Sequence, residues 1–301
     1  MNARAAMLGC AALALGASGC GGEDAPRAPV GAKLLDAARA SALTVTRGGD
    51  LLAGELETGV IVSSSSRATP PARLKVATGG QRGLLGLAAD RRGRVYAAYT
   101  RRGDRRIVVD RIAPGSIRRI WTGPPSADLA NGGHLAIAPD GRLVIGIGDL
   151  QQPARSADPD APNGKLLALR TNGRNQRPAV LSSGWNNPFA FVFTPDGRLW
   201  VADNAPGRRP ERIARGDLGG PPREVSELTR KTAPSAIAAI SPTELAICGF
   251  VSETLDRYRL RQGRWRFAAT IARGCRYGVV GLSRARLAFS DGRTIRTVSA
   301  R

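Results

Sequence analysis

The chain has 301 residues, with 45 Lys plus Arg against 24 Asp plus Glu, one histidine and four cysteines, for a net charge of +21. Lysine occurs only at Lys33, Lys75, Lys165 and Lys231, so the charge is arginine's, dispersed through turns and strands with few aromatics beside it. That dispersal argues against a nucleic-acid-binding stripe, and a single histidine excludes a His-ligated metal centre. A cationic protein still attracts anionic lipid or cell-wall polymer weakly.

Residues 1–20 read as an export signal. Arg4 is basic, residues 5–15 are apolar but too few to span a bilayer, and Ala17-Ser18-Gly19 are small. Small residues followed at once by Cys20 resemble a bacterial lipobox, with Cys20 as the lipidated mature N-terminus, although Ala17 stands where that motif prefers Leu. The alternative is ordinary cleavage that frees a soluble exported protein. Residues 21–40 are read as a flexible tether, richest in Gly, Ala, Pro and acidic residues before residue 31. The expected location is the outer face of the cell membrane, held by the lipid.

From residue 41 onward the chain repeats one unit. Leu135-Ala136-Ile137-Ala138, Pro139-Asp140-Gly141-Arg142 and Leu143-Val144-Ile145-Gly146-Ile147 form strand, turn and strand, since Pro sets φ and Gly tolerates positive φ. Weaker or equal copies begin their second strands at Leu51, Val95, Leu199, Leu245 and Leu287, so that successive gaps along the six are 44, 48, 56, 46 and 42 residues. A period in the forties built from all-β units predicts an all-β, six-bladed β-propeller over 41–301, one four-stranded blade per copy. Closure removes exposed edges, so Leu43-Thr44-Val45 is expected to pair with a C-terminal strand at 294–298.

Cys10 leaves with the signal and Cys20 is the anchor, which leaves Cys248 and Cys275 in adjacent copies. Outside the cytoplasm a disulfide between them is expected. Trp185, Trp200 and Trp265 read as packing between blades, with Trp185 alone a candidate for stacking on a sugar. No nucleophile elbow accompanies His134, so a Ser-His-Asp site has no support.

Three segments in series resemble the soluble PQQ-dependent sugar dehydrogenases, the glucose/sorbosone and aldose sugar dehydrogenase family. They are Gly79-Gly80-Gln81-Arg82-Gly83-Leu84-Leu85-Gly86-Leu87-Ala88, then Asn131-Gly132-Gly133 through Asn163-Gly164-Lys165, then Gly184-Trp185-Asn186-Asn187-Pro188 through Pro206 and Glu211. Ala233-Pro234-Ser235 extends the likeness weakly into the last third. The resemblance implies a six-bladed propeller, an oxidoreductase passing hydride from a sugar hydroxyl to PQQ, and calcium beneath the quinone. It implies cofactor contacts at Gln81, Asn131, Gly132, Asn186 and Asn187, and metal contacts at Ala205, Pro206 and Glu211. By residue type alone Asp149, Asp203 and Glu211 are oxygen donors for calcium, with turn capping as the alternative for an Asp at a strand end.

The chain departs from that pattern where chemistry is expected. The family's catalytic histidine position is Ala130, the family's arginine in the third segment is Asn186, and His134 lies four residues from Ala130. Four extended residues span about 13 Å, so His134 does not simply inherit the proton. The later family Lys and Arg positions find Arg273 and Arg276 as the nearest candidates. The two readings are a PQQ-dependent sugar dehydrogenase and a propeller of that family that binds a ligand or protein without the reaction. In either, Gln81, Asn131, His134 and Asn187 are expected to meet at one mouth of the channel. Neither the sugar, the electron acceptor nor an oligomeric state is legible.

Overall fold

A computed structural model describes residues 31–65, 73–206 and 209–300. The signal, Cys20 and the first part of the tether lie outside the described residues. Six sheets form a β-propeller, in agreement with the repeat count. Blade 1 is Ala40–Val45, Leu51–Glu55 and Ile61–Ser63, and blade 2 is Leu84–Ala89, Val95–Thr100, Arg106–Ala113 and Ser116–Pro125. Blade 3 is Gly132–Ile137, Leu143–Ile147, Lys165–Leu169 and Ala179–Ser183, and blade 4 is Asn187–Phe193, Leu199–Asn204, Arg212–Arg215 and Arg223–Glu227. Blade 5 is Pro234–Ser241, Glu244–Gly249, Thr254–Arg261 and Arg264–Arg273. Blade 6 is Val279–Ser283, Arg286–Ser290 and Thr294–Ser299, completed by Ala32–Asp36 from the start of the chain.

Two expectations are corrected. The closing strand is Ala32–Asp36, paired with Thr294–Ser299, and Leu43–Val45 instead pairs with Leu51–Ala53 inside blade 1. Closure therefore falls in the stretch read as tether, where Gly- and Ala-rich sequence hides a strand of pattern Ala-Lys-Leu-Leu-Asp. Blade 1 has three strands among the described residues rather than four.

The hairpins that gave the period form as their turn chemistry requires. Second strands begin at Leu51, Val95, Leu143 and Leu199 as read, and at Glu244 and Arg286, one residue early, in blades 5 and 6. In the blade 3 turn, Gly141 takes φ +83 and donates to Ala138 O at 2.8 Å, and Asp140 Oδ1 accepts from Arg142 N at 2.9 Å. Blade 2 repeats this with Asp90 accepting from Arg92 N and Arg94 N, both at 2.9 Å.

Apolar side chains on the two faces of each blade have nowhere to go but against the next blade. They form one buried cluster at every blade-to-blade interface, including blade 6 to blade 1, so the ring is closed by packing as well as by hydrogen bonds. Trp200 and Trp265 meet edge to face at 5.1 Å between blades 4 and 5. Trp185 is fully buried, donates Nε1–H to Ser182 Oγ at 2.9 Å and lies beneath the Arg212 guanidinium. All three tryptophans pack, and Trp185 has no free face for a sugar. Cys248 and Cys275 are disulfide-bonded, with Cα atoms 5.4 Å apart, as expected.

Innermost strands all run one way, so the loops that enter them gather on one face, called the mouth, and the tight hairpin turns gather on the opposite, lower face.

Candidate functional site

At the mouth the channel widens into a cavity of about 410 Å³ to which all six blades contribute. Its polar floor is assembled by side-chain amides. Gln81, from the loop entering blade 2, accepts from Ala130 N through Oε1 at 2.7 Å, and its carbonyl accepts from Asn131 Nδ2 at 3.2 Å. Asn187, which opens blade 4, accepts from Gly132 N at 2.9 Å through Oδ1. Three blades are thus stitched together by groups that pair side chain to backbone.

Gln81, Gly132 and Asn187 line the cavity, whereas Asn131 is buried beneath it, bonded also to Ala127 N and O at 2.8 and 2.9 Å. The two glycines beside it have a packing reason for being glycine. At φ +68 a Cβ on Gly132 would stand 2.3 Å from Gly146 O, and at φ +104 one on Gly133 would stand 2.5 Å from Leu85 Cβ. These close approaches are to neighbouring strands, not to a ligand.

The expected cluster of Gln81, Asn131, His134 and Asn187 therefore forms without His134. Its side chain lies further down the channel, edge-on to the Phe191 ring at 4.8 Å, in a separate apolar-lined cavity of about 350 Å³. Strand geometry explains this, since two residues beyond Gly132 the chain has moved along the inner wall. Desolvation there lowers the His134 pKa to about 4, partly offset by a hydrogen bond to the Phe191 backbone. The imidazole is neutral at physiological pH.

Ala130 takes φ +54, a left-handed conformation in which His, Asn and Asp are enriched and Ala is not. The backbone keeps a shape suited to a polar residue while the side chain offers only a methyl group.

Asn186 is on the mouth face but does not line the cavity, facing an adjoining groove instead. It donates Nδ2–H to Asp149 Oδ2 at 2.6 Å and its carbonyl accepts from Asp149 N at 2.7 Å, in a groove of about 740 Å³ on the outer side of blades 3 and 4. Ala205 and Pro206 line the same groove.

Calcium does not fit the donors assigned to it. A divalent ion of this kind needs six to eight oxygens with lone pairs to give. Glu211, fully buried, instead accepts from Thr232 N at 2.8 Å and Ala233 N at 3.0 Å, and pairs with Lys231 Nζ at 3.0 Å. The same ammonium reaches Ala205 O at 3.5 Å. A built-in cation occupies two of the three assigned ligands. Asp203 accepts from Asn186 N, Asn187 N and the Arg212 guanidinium, and Asp149 from Gln151 N and Asn186 Nδ2. Burial pushes the Asp203 carboxyl up against those donors. Among the described residues no group of three or more His, Cys, Asp or Glu is placed to hold a metal.

Several lining residues carried no signal in the sequence. Arg39, paired with Glu57, comes from the stretch read as tether. Phe250 and Tyr277 meet edge to face at 5.7 Å, and Arg276, paired with Glu253 at 3.2 Å, lies over the Phe250 ring. They flank Cys248 and Cys275, so for Phe250 and Tyr277 the disulfide was the available pointer, while Arg276 was one of the two arginines singled out in the sequence. Arg276 thus reaches the mouth, while Arg273 ends an outer strand exposed. Leu129 and Phe250 leave apolar surface open at the rim.

The comparisons agree with this fold. The chain resembles the PQQ-bound aldose sugar dehydrogenase of Streptomyces coelicolor at 20% identity and TM-score 0.72, over 91% of this chain and 96% of that one. It resembles a glucose dehydrogenase-type oxidoreductase of Thermus thermophilus at 25% identity and TM-score 0.72, over 91% and 98%. The aldose sugar dehydrogenase of Escherichia coli matches at 17% identity and TM-score 0.65, over 91% and 98%. No curated protein sequence matches. The family model described as glucose/sorbosone dehydrogenase matches residues 32–213, more than half of the chain, so the chain belongs to the glucose/sorbosone dehydrogenase family.

Proposed function

We propose that this protein is an exported, lipid-anchored propeller that binds a planar, anionic quinone of the PQQ class at its mouth and lacks the base-assisted oxidation of sugars. The observation that carries the second half is Ala130. Its N–H is spent on Gln81, its side chain has no titratable group, and the chain's one histidine lies down the channel with its basicity lowered by burial. A positioned general base contributes about 10²–10⁴-fold on its own.

Support for the ligand comes from the mouth's composition. The Phe250–Tyr277 wall offers an aromatic face to a flat ring, and Arg39 and Arg276, each paired with a glutamate, would take a ligand carboxylate in exchange for that partner. A bound quinone of this class would supply the hydride-accepting chemistry. Gln81 and Asn187 would orient it by holding the loops, and Lys231 would supply the positive charge beside Glu211 that a metal supplies elsewhere. The export signal, with Cys20 as lipid site, and the disulfide support a position outside the cytoplasm.

Family membership favours a second reading, an active PQQ-dependent sugar dehydrogenase. One experiment separates them. Purified protein is titrated with PQQ, followed by quinone absorbance, and then offered aldoses with a redox dye, alongside Ala130→His. The expected result is PQQ binding by both proteins and dye reduction only by the variant. Dye reduction by the parent establishes the dehydrogenase, and absence of PQQ binding in the parent removes the quinone.

A further inference from the structure

The inner turns of the lower face differ from the cavity at the mouth in what their arginines are doing. At the mouth both lining guanidiniums, Arg39 and Arg276, are paired with Glu57 and Glu253. On the lower face the inner hairpin turns of blades 6, 1 and 2 expose Arg284, Arg286, Arg47, Arg91 and Arg92, and none of these has a carboxylate partner among the described residues. Arg47 and Arg91 belong to adjacent turns, with Arg47 donating to Arg91 O at 3.3 Å. By contrast, Arg142 and Arg198 in the turns of blades 3 and 4 are neutralised by Asp140 and Asp196, and the blade 5 turn presents Glu244 paired with Arg259. Among the inner hairpin turns, arginine without a carboxylate partner is therefore confined to one arc, blades 6 to 2, while the outer turns of blades 3 and 5 add Arg170, Arg174, Arg261 and Arg264 elsewhere on the same face.

The chain enters the fold on that arc. Ala32–Asp36 is the outer strand of blade 6, and Ala32 pairs with Thr297 while Asp36 pairs with Thr294. Because Ser299 pairs with Arg286, which opens the strand after the hairpin turn, the Ala32 end points to the lower face and the Asp36 end to the mouth. Cys20 lies eleven residues before Gly31, a reach of at most roughly 37 Å.

We propose that this arc is a docking surface for an anionic lipid bilayer, which holds the propeller with its mouth turned away from the membrane. Guanidinium groups without carboxylate partners keep their full charge for lipid phosphates, and a surface of anionic headgroups attracts each within a Debye length. The inner-turn charge and the point of chain entry lie on the same side of the same face. The arrangement leaves the mouth open to ligands from solution, whichever ligand it takes.

The test uses the full chain carrying Cys20→Ser, so that no lipid of its own contributes, and therefore stands or falls separately from the anchor. Co-sedimentation is measured with vesicles of phosphatidylglycerol and phosphatidylcholine, and with phosphatidylcholine alone, at about 0.05 M and about 0.3 M salt. Arg91→Glu/Arg92→Glu/Arg284→Glu is compared with Arg105→Glu/Arg273→Glu/Arg293→Glu, an equal charge change on exposed mouth-side positions. Expected are binding to the anionic vesicles only, loss at the higher salt, and a fall of more than roughly tenfold for the lower-face variant but not for the mouth-side one. No binding at low salt overturns the proposal. So does an equal fall in both variants, which would mean that net charge alone attracts the protein; the milder Arg91→Gln/Arg92→Gln/Arg284→Gln, expected to fall in the same direction, keeps the surface testable if the Glu variant folds poorly.

Discussion

Blades 2 to 4 and blades 5 to 6 hold their mouth loops by different means. In the first group the loops are joined by amides, with Gln81, Asn131 and Asn187 each bonding the backbone of another loop or strand. In the second the loops carry a covalent link, Cys248–Cys275, and aromatic packing between Phe250 and Tyr277. Amide-to-backbone bonds demand particular residues at particular places, whereas a disulfide and a pair of rings tolerate change around them. The family match at 32–213 stops in blade 4, before the loops held by the second means begin.

The comparison breaks most visibly at the disulfide. Replacing Cys248 and Cys275 together by Ala is expected to lower unfolding stability by about 3 kcal/mol, since the bond closes a loop with a sequence separation of 27. Urea unfolding measures it, and a change below about 1 kcal/mol would mean that packing alone holds blades 5 and 6 together.

Next in size is a pH effect in the channel between the two groups. His134 has its pKa lowered from 6.5 to about 4, so its contribution to stability is fully present above pH 6.5 and is lost as pH falls toward 4. The shift corresponds to at most roughly 3 kcal/mol. His134→Phe should flatten the stability profile across that window, read by urea midpoints at several pH values. A profile as steep as the parent's would assign the loss to carboxylates instead.

A smaller loss is expected for Asn187→Ala, which leaves the buried N–H of Gly132 unpaired and should cost about 2 kcal/mol. Amide hydrogen exchange at Gly132 should rise in the variant, and unchanged protection there would show that the amide frame is not what holds blades 3 and 4 at the mouth.

The finest distinction concerns Lys231. Lys231→Met removes the ammonium from Glu211 and Ala205 and should create a response to calcium, seen as a rise in melting temperature on adding the ion, which the parent does not show. An equal rise in both proteins would mean that the lysine does not stand in the way of a metal.

Much of this was legible along the chain because it rests on local chemistry. Pro-Asp-Gly turns between apolar runs declare themselves through φ preferences, and their spacing alone was enough for the six blades. Gln81, Gly132 and Asn187 were legible because a motif preserves groups that bond backbone. Tertiary structure decided what depends on partners distant in sequence. It placed Ala32–Asp36 as the closing strand, because an edge takes whichever extended segment arrives with free backbone groups, and it brought Arg39 and Tyr277 to one cavity from opposite ends of the chain. It also turned His134 toward Phe191 and put the Lys231 ammonium on Glu211. Charge and burial are properties of neighbourhoods, and for these residues only folding assembles the neighbourhood.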